Sequence, residues 1–167
     1  MKQLQINKNY LLLKNWWEDI DLTNYEKSYF NREIISFNQQ LFRLKEKKIR
    51  IGTYGKSGVG KSSVLNCLLK EDIFKTDIIN GTTREIQTEE WKFKDQTLNS
   101  IELLDSPGFD FCDIKFPDKV YSFINYSDLI LFIISGDLNR NELNEINSFI
   151  KDGKKIILIL NLSLIHI

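Results

Sequence analysis

The sequence has few cysteines and histidines. Its 167 residues include two cysteines and one histidine, and Cys67 and Cys112 lie in unrelated contexts without a CxxC pair. This pattern argues against a disulfide framework and against a zinc site. We expect both cysteines to be buried thiols of a protein that folds in a reducing compartment. For His166, near the last residue, we expect no catalytic role.

The sequence also lacks an excess of either charge and any long apolar run. Lys and Arg number 23, as do Asp and Glu, so the formal net charge is zero and an anion site must be local. The longest apolar runs, 129–134 and 156–160, are far shorter than the roughly 20 residues that span a bilayer. The amino terminus has no signal-peptide pattern. We expect a cytoplasmic protein, with membrane association only through a region after Asn161.

Glycine and proline are absent from residues 10–46. Apolar residues recur at spacings of three and four from Phe30 to Leu44, which predicts an amphipathic helix, and Leu11 to Trp17 fits a shorter, earlier one. We therefore predict an N-terminal helical segment over 1–46. Its aromatic residues are expected to pack into the core of the following domain, with a partner surface as the alternative; they are Trp16, Trp17, Tyr25, Tyr29 and Phe30.

From Lys47 onward, short apolar runs alternate with helical patterns. This alternation is typical of βαβ units around a parallel sheet. Polar residues 94–97 join two of the apolar runs, which predicts a hairpin with one antiparallel strand at the sheet edge. We predict strands at 48–54, 88–94, 100–105, 129–135 and 155–160, and helices at 61–70, 117–126 and 140–151.

A glycine-rich stretch lies between the first predicted strand and the helix after it. Residues 55–62, GKSGVGKS, satisfy GxxxxGK[ST] in the strand-to-helix context that gives this motif its meaning. Glycines let backbone N–H groups turn toward phosphate oxygens, and the helix N-terminus adds partial positive charge. Lys61 is expected to reach the β- and γ-phosphates, Ser62 to bind Mg²⁺, and Ser63 to meet the α-phosphate. The predicted nucleotide-binding residues here are Gly55, Lys56, Ser57, Gly58, Val59, Gly60, Lys61, Ser62 and Ser63.

Two further motifs follow at equal intervals. Thr83, in the loop GTTRE, and Asp105, in LLDSPGF, lie 22 and then a further 22 residues after Lys61. Asp105 ends an apolar strand and can hold Mg²⁺ through water, while the amide of Gly108 can bind the γ-phosphate. Thr83, preferred to Thr82, is expected to bind Mg²⁺ directly and, with Lys61, to be catalytic. The predicted metal ligands are Ser62, Thr83 and Asp105.

Together these motifs resemble the translation-factor-related class of P-loop GTPases, which holds the Era-like, septin-like, Toc-like and bacterial dynamin-like families. GKSGVGKSSVLN is similar to septin and Toc P-loops, and GTTRE with LLDSPGF is similar to Era-type and dynamin-like proteins. The resemblance covers residues 47–161. It implies an α/β, three-layer P-loop fold with a mostly parallel sheet and one antiparallel edge strand, here truncated at its C-terminal end.

The sequence departs from this class at two positions. Gly58 stands where many potassium-dependent Era-type enzymes have Asn, so the resemblance does not carry potassium dependence to this chain. Phe109 stands where Ras-like enzymes have the glutamine that orients the attacking water. We therefore expect slow hydrolysis that relies on the switch backbone, on Arg84, or on a dimer partner or activator.

The motif that recognises guanine is incomplete. Asn161 follows the fifth predicted strand where NKxD would begin, but LSLIHI comes next. Because CTGTCTCTTATACACATC, a transposase-adapter end, encodes these six residues, we interpret 162–167 as a non-native tail after an incomplete GTPase domain over 47–161. We expect this fragment itself to bind nucleotide weakly and to be inactive.

The sequence thus predicts a Mg²⁺-dependent switch that hydrolyses GTP to GDP and phosphate. One alternative is a dynamin- or septin-like module whose assembly or membrane association is controlled by GTP. Another is a P-loop protein that uses ATP. The expected partners are GTP and GDP, with a homodimer or activator binding through the switch loops and N-terminal helices; nothing in the sequence points directly to nucleic acid.

Overall fold

The computed structural model describes residues 2–75, 86–92, 98–111 and 127–162. Within these ranges the chain divides into two compact units, one formed by residues of Met1–Ile49 and Lys92–Ile101, the other by residues of Arg50–Trp91 and Glu102–Ile167. None of the helices in the described ranges is both long and apolar enough to cross a bilayer.

Three helices are described in the first unit, α1 (Lys2–Glu18), α2 (Asn24–Tyr29) and α3 (Asn31–Glu46). Helices α1 and α2 both pack against α3. Thr23 and Glu26 form a capping box that starts α2, and Lys47, with φ 54°, ends α3 in the left-handed conformation. The amphipathic helix is confirmed, whereas the earlier helix is longer than the Leu11–Trp17 span.

The aromatic residues of this unit are largely exposed. The rings of Trp16 and Trp17 lie 5.8 and 4.7 Å from that of Phe37, so they contact an aromatic residue of the same unit. Tyr25 and Tyr29 are 78% and 71% exposed, and Trp16 and Phe30 are exposed as well. The expectation that this cluster packs into a core is therefore wrong for those four residues.

In the part of the chain that the structure describes, the sheet has five strands in the order β2-β3-β1-β4-β5 and is mostly parallel, with one antiparallel strand. Strands β1 and β4 are parallel with Thr53 opposite Leu131, and β4 and β5 are parallel with Phe132 opposite Leu158. The predicted fold is thus confirmed, with β2 at an edge. The strands are β1 (Lys48–Tyr54), β2 (Gln87–Trp91), β3 (Ser100–Asp105), β4 (Leu129–Ile134) and β5 (Lys155–Leu160).

Two α-helices of the second unit are described, α4 (Lys61–Leu69) and α5 (Arg140–Lys151). Asn139 and Glu142 form the capping box of α5. Helix α4 ends at Leu69, one residue before its predicted end, and Lys70 caps it in the left-handed conformation with φ 60°. A 3-10 turn covers Phe109–Phe111. The predicted hairpin loop at 94–97 and helix at 117–126 lie outside the described residues.

The core of the second unit joins the sheet to α5. Its buried residues include Leu104 on β3, Phe132 on β4 and Phe149 on α5, all at most 3% exposed. Tyr54, the last residue of β1, lies among them. Cys67 on α4 is exposed, so its expected burial is wrong, because it lies on the helix face away from Leu65; Cys112 lies outside the described residues.

Candidate nucleotide site

The glycine-rich loop connects the end of β1 to the start of α4. Gly58 and Gly60 have φ angles of 75° and 86°, in the left-handed region that favours glycine. A Cβ added to Gly55 would lie 2.3 Å from the carbonyl oxygen of Ile133, and one added to Gly60 would lie 2.3 Å from Nδ2 of Asn161. The loop therefore needs glycine both for its backbone shape and for its close approach to the ends of β4 and β5.

Lys61, the first residue of α4, is buried beneath this loop. Its ammonium group donates a hydrogen bond of 2.7 Å to the carbonyl oxygen of Lys56. Desolvation lowers the pKa of Lys61, and the nearby carboxylates of Asp105 and Asp110 oppose that shift. A buried cation that is hydrogen-bonded to a backbone carbonyl, with two carboxylates near enough to affect its charge, is well suited to bind an anion that enters the loop.

Asp105, the last residue of β3, is fully buried beside Ser62. Its Oδ2 accepts a 2.5 Å hydrogen bond from the Ser62 hydroxyl, and its Oδ1 accepts a 2.9 Å bond from the Thr53 hydroxyl. Burial raises the pKa of Asp105, while these two hydrogen bonds and the charge of Lys61 oppose the rise. The carboxylate is thus oriented by β1 and α4 together.

The donor set at this position fits a hard divalent cation. The Ser62 hydroxyl and the Asp105 carboxylate are both oxygen ligands, which Mg²⁺ prefers, and they lie within hydrogen-bond distance of each other. Mg²⁺ commonly keeps several waters and binds few protein groups. The residues present therefore fit Mg²⁺.

The DSPG segment, which we define as residues 105–110 and which begins at the last residue of β3, turns back onto the glycine-rich loop. The amide of Ser57 donates a 2.6 Å hydrogen bond to Oδ1 of Asp110, and the amide of Phe109 donates a 3.3 Å bond to the carbonyl of Gly55. A Cβ added to Gly108 would lie 2.3 Å from the Ser57 nitrogen and 2.2 Å from its hydroxyl oxygen. Glycine is thus required at residue 108 for this approach.

Asn161 closes the opposite end of the loop. Its amide donates a 2.8 Å hydrogen bond to the carbonyl of Ile134, which continues the pairing of β5 with β4. Its side-chain Nδ2 donates a 3.0 Å bond to the carbonyl of Val59. The residue after β5 therefore contacts the glycine-rich loop through a bond that spans 102 positions of sequence.

Most of the predicted site residues that the structure describes lie together around the glycine-rich loop, in a region that we call the cleft. The structure brings together the loop, Lys61, Ser62, Asp105, Gly108 and Asn161. Ser63 lies on the first turn of α4, where its side chain is exposed. Thr83, with Thr82 and Arg84, lies outside the described residues, so its catalytic and metal-binding roles stay predictions.

Three residues of the cleft were not singled out from the sequence: Thr53, Asp110 and Glu142. Glu142 is buried, and its Oε1 lies 3.3 Å from the ammonium of Lys56 while its Oε2 accepts the amide of Asn139. The N-x-x-E pattern at 139–142 could have identified a helix start. No local signal indicates the ion pair with Lys56, or the hydrogen bond from Ser57 to Asp110.

The fold and the loop together define a P-loop GTPase domain. Residues 50–162, more than half of the chain, match the family described as "50S ribosome-binding GTPase". The chain therefore belongs to this family, and the resemblance found in its motifs is confirmed.

Individual relatives support the same assignment. The chain is 34% identical over 119 residues to the tRNA modification GTPase MnmE of Mesoplasma florum, covering 69% of this chain and 26% of the relative. It is 33% identical over 118 residues to GTPase Der of Nautilia profundicola, covering 68% and 25%. The chain thus spans about a quarter of the length of these curated relatives.

Solved structures resemble the fold. Aquifex aeolicus Era bound to GDP·AlF4⁻ has a TM-score of 0.57 at 26% identity and covers 72% of this chain and 43% of its own. Toc33 from Arabidopsis thaliana has a TM-score of 0.51 at 18% identity, covering 77% and 57%, and shows the shared fold alone.

Proposed function

We propose that this chain binds GTP with Mg²⁺ in the cleft of its second unit and hydrolyses it to GDP and phosphate as a molecular switch. The observation that carries the proposal is the contact between Ser62 and Asp105 beside the buried Lys61, inside the segment that matches a GTPase family. A lysine, a hydroxyl and a carboxylate at these positions are the groups that phosphoryl transfer requires.

Phosphate binding depends on Lys61. Its ammonium now bonds the carbonyl of Lys56, and the β- and γ-phosphate oxygens are stronger acceptors because they are charged. The N-terminus of α4 adds amide donors directed at the same anion. Ser63, on that first turn, is proposed to meet the α-phosphate.

The metal is proposed to be Mg²⁺ held by Ser62, by Asp105 through water, and by Thr83. Members of the GTPase family typically use this ion. When bound, it neutralises charge on the β- and γ-phosphates. Era, at 26% identity and a TM-score of 0.53 over 68% of this chain and 40% of its own, has been solved with MgGDPNP.

Hydrolysis by the chain alone is proposed to be slow. The ring of Phe109 stacks on that of Tyr54 at a centroid distance of 5.2 Å and an interplanar angle of 13°. An apolar ring held in this way cannot orient a water molecule. Arg84 or an activating partner is the proposed source of the missing stabilisation of the transition state.

The assembly alternative is not favoured, because the relatives described above at 26% identity or more are Der, MnmE and Era.

A partner that binds the N-terminal helices remains part of the proposal. The exposed rings of Tyr25 and Tyr29 stack at 6.4 Å and offer an aromatic surface. A nucleotide-dependent change in molar mass by light scattering, lost in Tyr25→Ser/Tyr29→Ser, would support this part, and an unchanged mass with either nucleotide would contradict a homodimer.

The test is a titration of the 167-residue chain with fluorescent GTP and ATP, with and without Mg²⁺, followed by measurement of phosphate release. We expect weak binding by this chain, tighter for GTP than for ATP and at full affinity only with Mg²⁺. Phosphate release would support hydrolysis and would show that the expectation of an inactive chain is wrong. Tighter binding of ATP would reverse the assignment of the base. Lys151→Ala on the exposed end of α5 serves as a charge-matched control for Lys61→Ala.

A further inference from the structure

The carboxylate of Asp110 lies where the glycine-rich loop meets the DSPG segment. Its Oδ1 accepts the Ser57 amide at 2.6 Å, and an added Gly108 Cβ would lie 2.7 Å from the same oxygen. Gly108 is the residue whose amide is expected to bind the γ-phosphate. Asp110 therefore places an anion at the γ-phosphate end of the loop.

This anion interacts with the phosphate-binding lysine. The charge of Asp110 raises the pKa of Lys61, against the lowering caused by burial. A carboxylate that accepts a P-loop amide and lies near the P-loop cation has the two interactions that a phosphate oxygen would make there. In the structure, the Asp110 carboxylate makes these interactions in place of a phosphate oxygen.

The side chain of Ser57 gives a second, independent observation. Its hydroxyl oxygen is buried and has no hydrogen-bond partner among the residues that the structure describes. An added Gly108 Cβ would lie 2.2 Å from that oxygen, so the hydroxyl is covered by the same segment that carries Asp110. Buried polar atoms usually have a partner, and an unpaired one in a cleft indicates a position that a ligand can satisfy.

We propose that Asp110 is a specificity-determining residue that competes with the γ-phosphate for the Ser57 end of the loop. A nucleoside triphosphate must displace the carboxylate, after which the Ser57 amide and hydroxyl become available to phosphate oxygens. A nucleoside diphosphate leaves the carboxylate in place, because it has no group at this end. The inference rests on the proposed function, since it assumes that GTP and GDP bind in this cleft.

The experiment measures the affinities of the 167-residue chain and of Asp110→Asn for a non-hydrolysable GTP analogue and for GDP, both with Mg²⁺. The amide variant keeps the shape of the side chain and removes the charge. Because a charge-assisted hydrogen bond is about twice as strong as a neutral one, we expect this variant to bind the GTP analogue about fivefold more tightly and GDP within about twofold. Asp152→Asn, at the exposed end of α5, is the matched control and should change neither affinity.

A second measurement needs no nucleotide. Hydrogen exchange at the Ser57 amide, measured by NMR, should be faster in Asp110→Ala than in the unaltered chain. The variant lacks the carboxylate oxygen that accepts the hydrogen bond from this amide. Equal affinity changes for both nucleotides, or no change for the GTP analogue, would overturn the proposal. The exchange measurement and the binding measurement can also separate this proposal from the proposed function. If the Ser57 amide loses protection in Asp110→Ala but no variant binds either nucleotide, the contact exists, the proposed function has failed, and the proposed competition fails with it.

Discussion

The two ends of the cleft are built differently. At the proposed phosphate end, Asp105 is fully buried and accepts hydrogen bonds from Ser62 and Thr53, and Lys61 is buried beside it. At the proposed base end, Asn161 follows β5, an edge strand on which Ile157 and Leu160 are about half exposed. Charged groups already held by hydrogen bonds cost little reorganisation when a ligand replaces those bonds. The groups at the phosphate end are therefore already positioned for a ligand. At the base end, the structure describes only the hydrogen bond that joins Asn161 to the glycine-rich loop.

Lys61→Ala tests the phosphate end and should have the largest effect. Removing a buried cation that meets two phosphates should weaken GTP and GDP binding by about a hundredfold or more, since hydrogen bonds to charged groups contribute about 1.5–3 kcal/mol each. Isothermal titration with Mg²⁺ measures the loss, and Lys151→Ala is the control. Unchanged affinity would remove the assignment of the loop as a phosphate site.

Gly108→Ala tests how closely the DSPG segment approaches the loop. The added Cβ would overlap Ser57, so the free energy of unfolding should fall by about 1–3 kcal/mol, as for overpacked sites. Gly136→Ala is the matched control, because a Cβ added there meets nothing within 4 Å. Urea titrations of both variants measure the difference. Equal stability of the two would mean that the segment does not pack on Ser57.

Asn161→Ala tests the base end and should have a smaller effect. The variant loses the bond from Nδ2 to the Val59 carbonyl, a neutral hydrogen bond of about 1 kcal/mol, so GTP and GDP should both bind several-fold more weakly. This small, equal change separates Asn161 from Lys61, whose removal costs far more, and from Asp110, whose removal should affect the GTP analogue alone. A loss confined to GTP, measured in parallel titrations, would show that the two ends are not independent.

The pH dependence of stability in EDTA should show the smallest effect. Because burial raises the pKa of Asp105 above its ordinary value of 3.8, the folded chain binds that proton more tightly than the unfolded chain. The stability from this group is full below the ordinary value and is lost as pH rises through the higher folded pKa. Asp105→Asn cannot titrate, so its free energy of unfolding should rise relative to that of the unaltered chain as pH increases through the folded pKa of Asp105. A difference that does not vary with pH would contradict the burial of a charged carboxylate.

Strands, helices and the glycine-rich loop could be predicted from the sequence because their signals come from neighbouring residues. The strands at 48–54, 100–105 and 155–160 were predicted with their observed bounds, and GKSGVGKS located the loop. The contact of Ser57 with Asp110 and the pair of Lys56 with Glu142 were not predicted, because each joins residues far apart in the sequence. The exposure of Tyr25 and Cys67 was missed for a related reason: composition indicates what can be buried, and packing decides what is.

Glu142 has one carboxylate in two roles. One oxygen pairs with Lys56 of the glycine-rich loop, and the other caps the first turn of α5. A substitution that removes the carboxylate would remove the cap of α5 and the ion pair with Lys56 at the same time. Its effects on stability and on nucleotide binding would therefore be coupled. Selection acting on either trait at this position constrains the other.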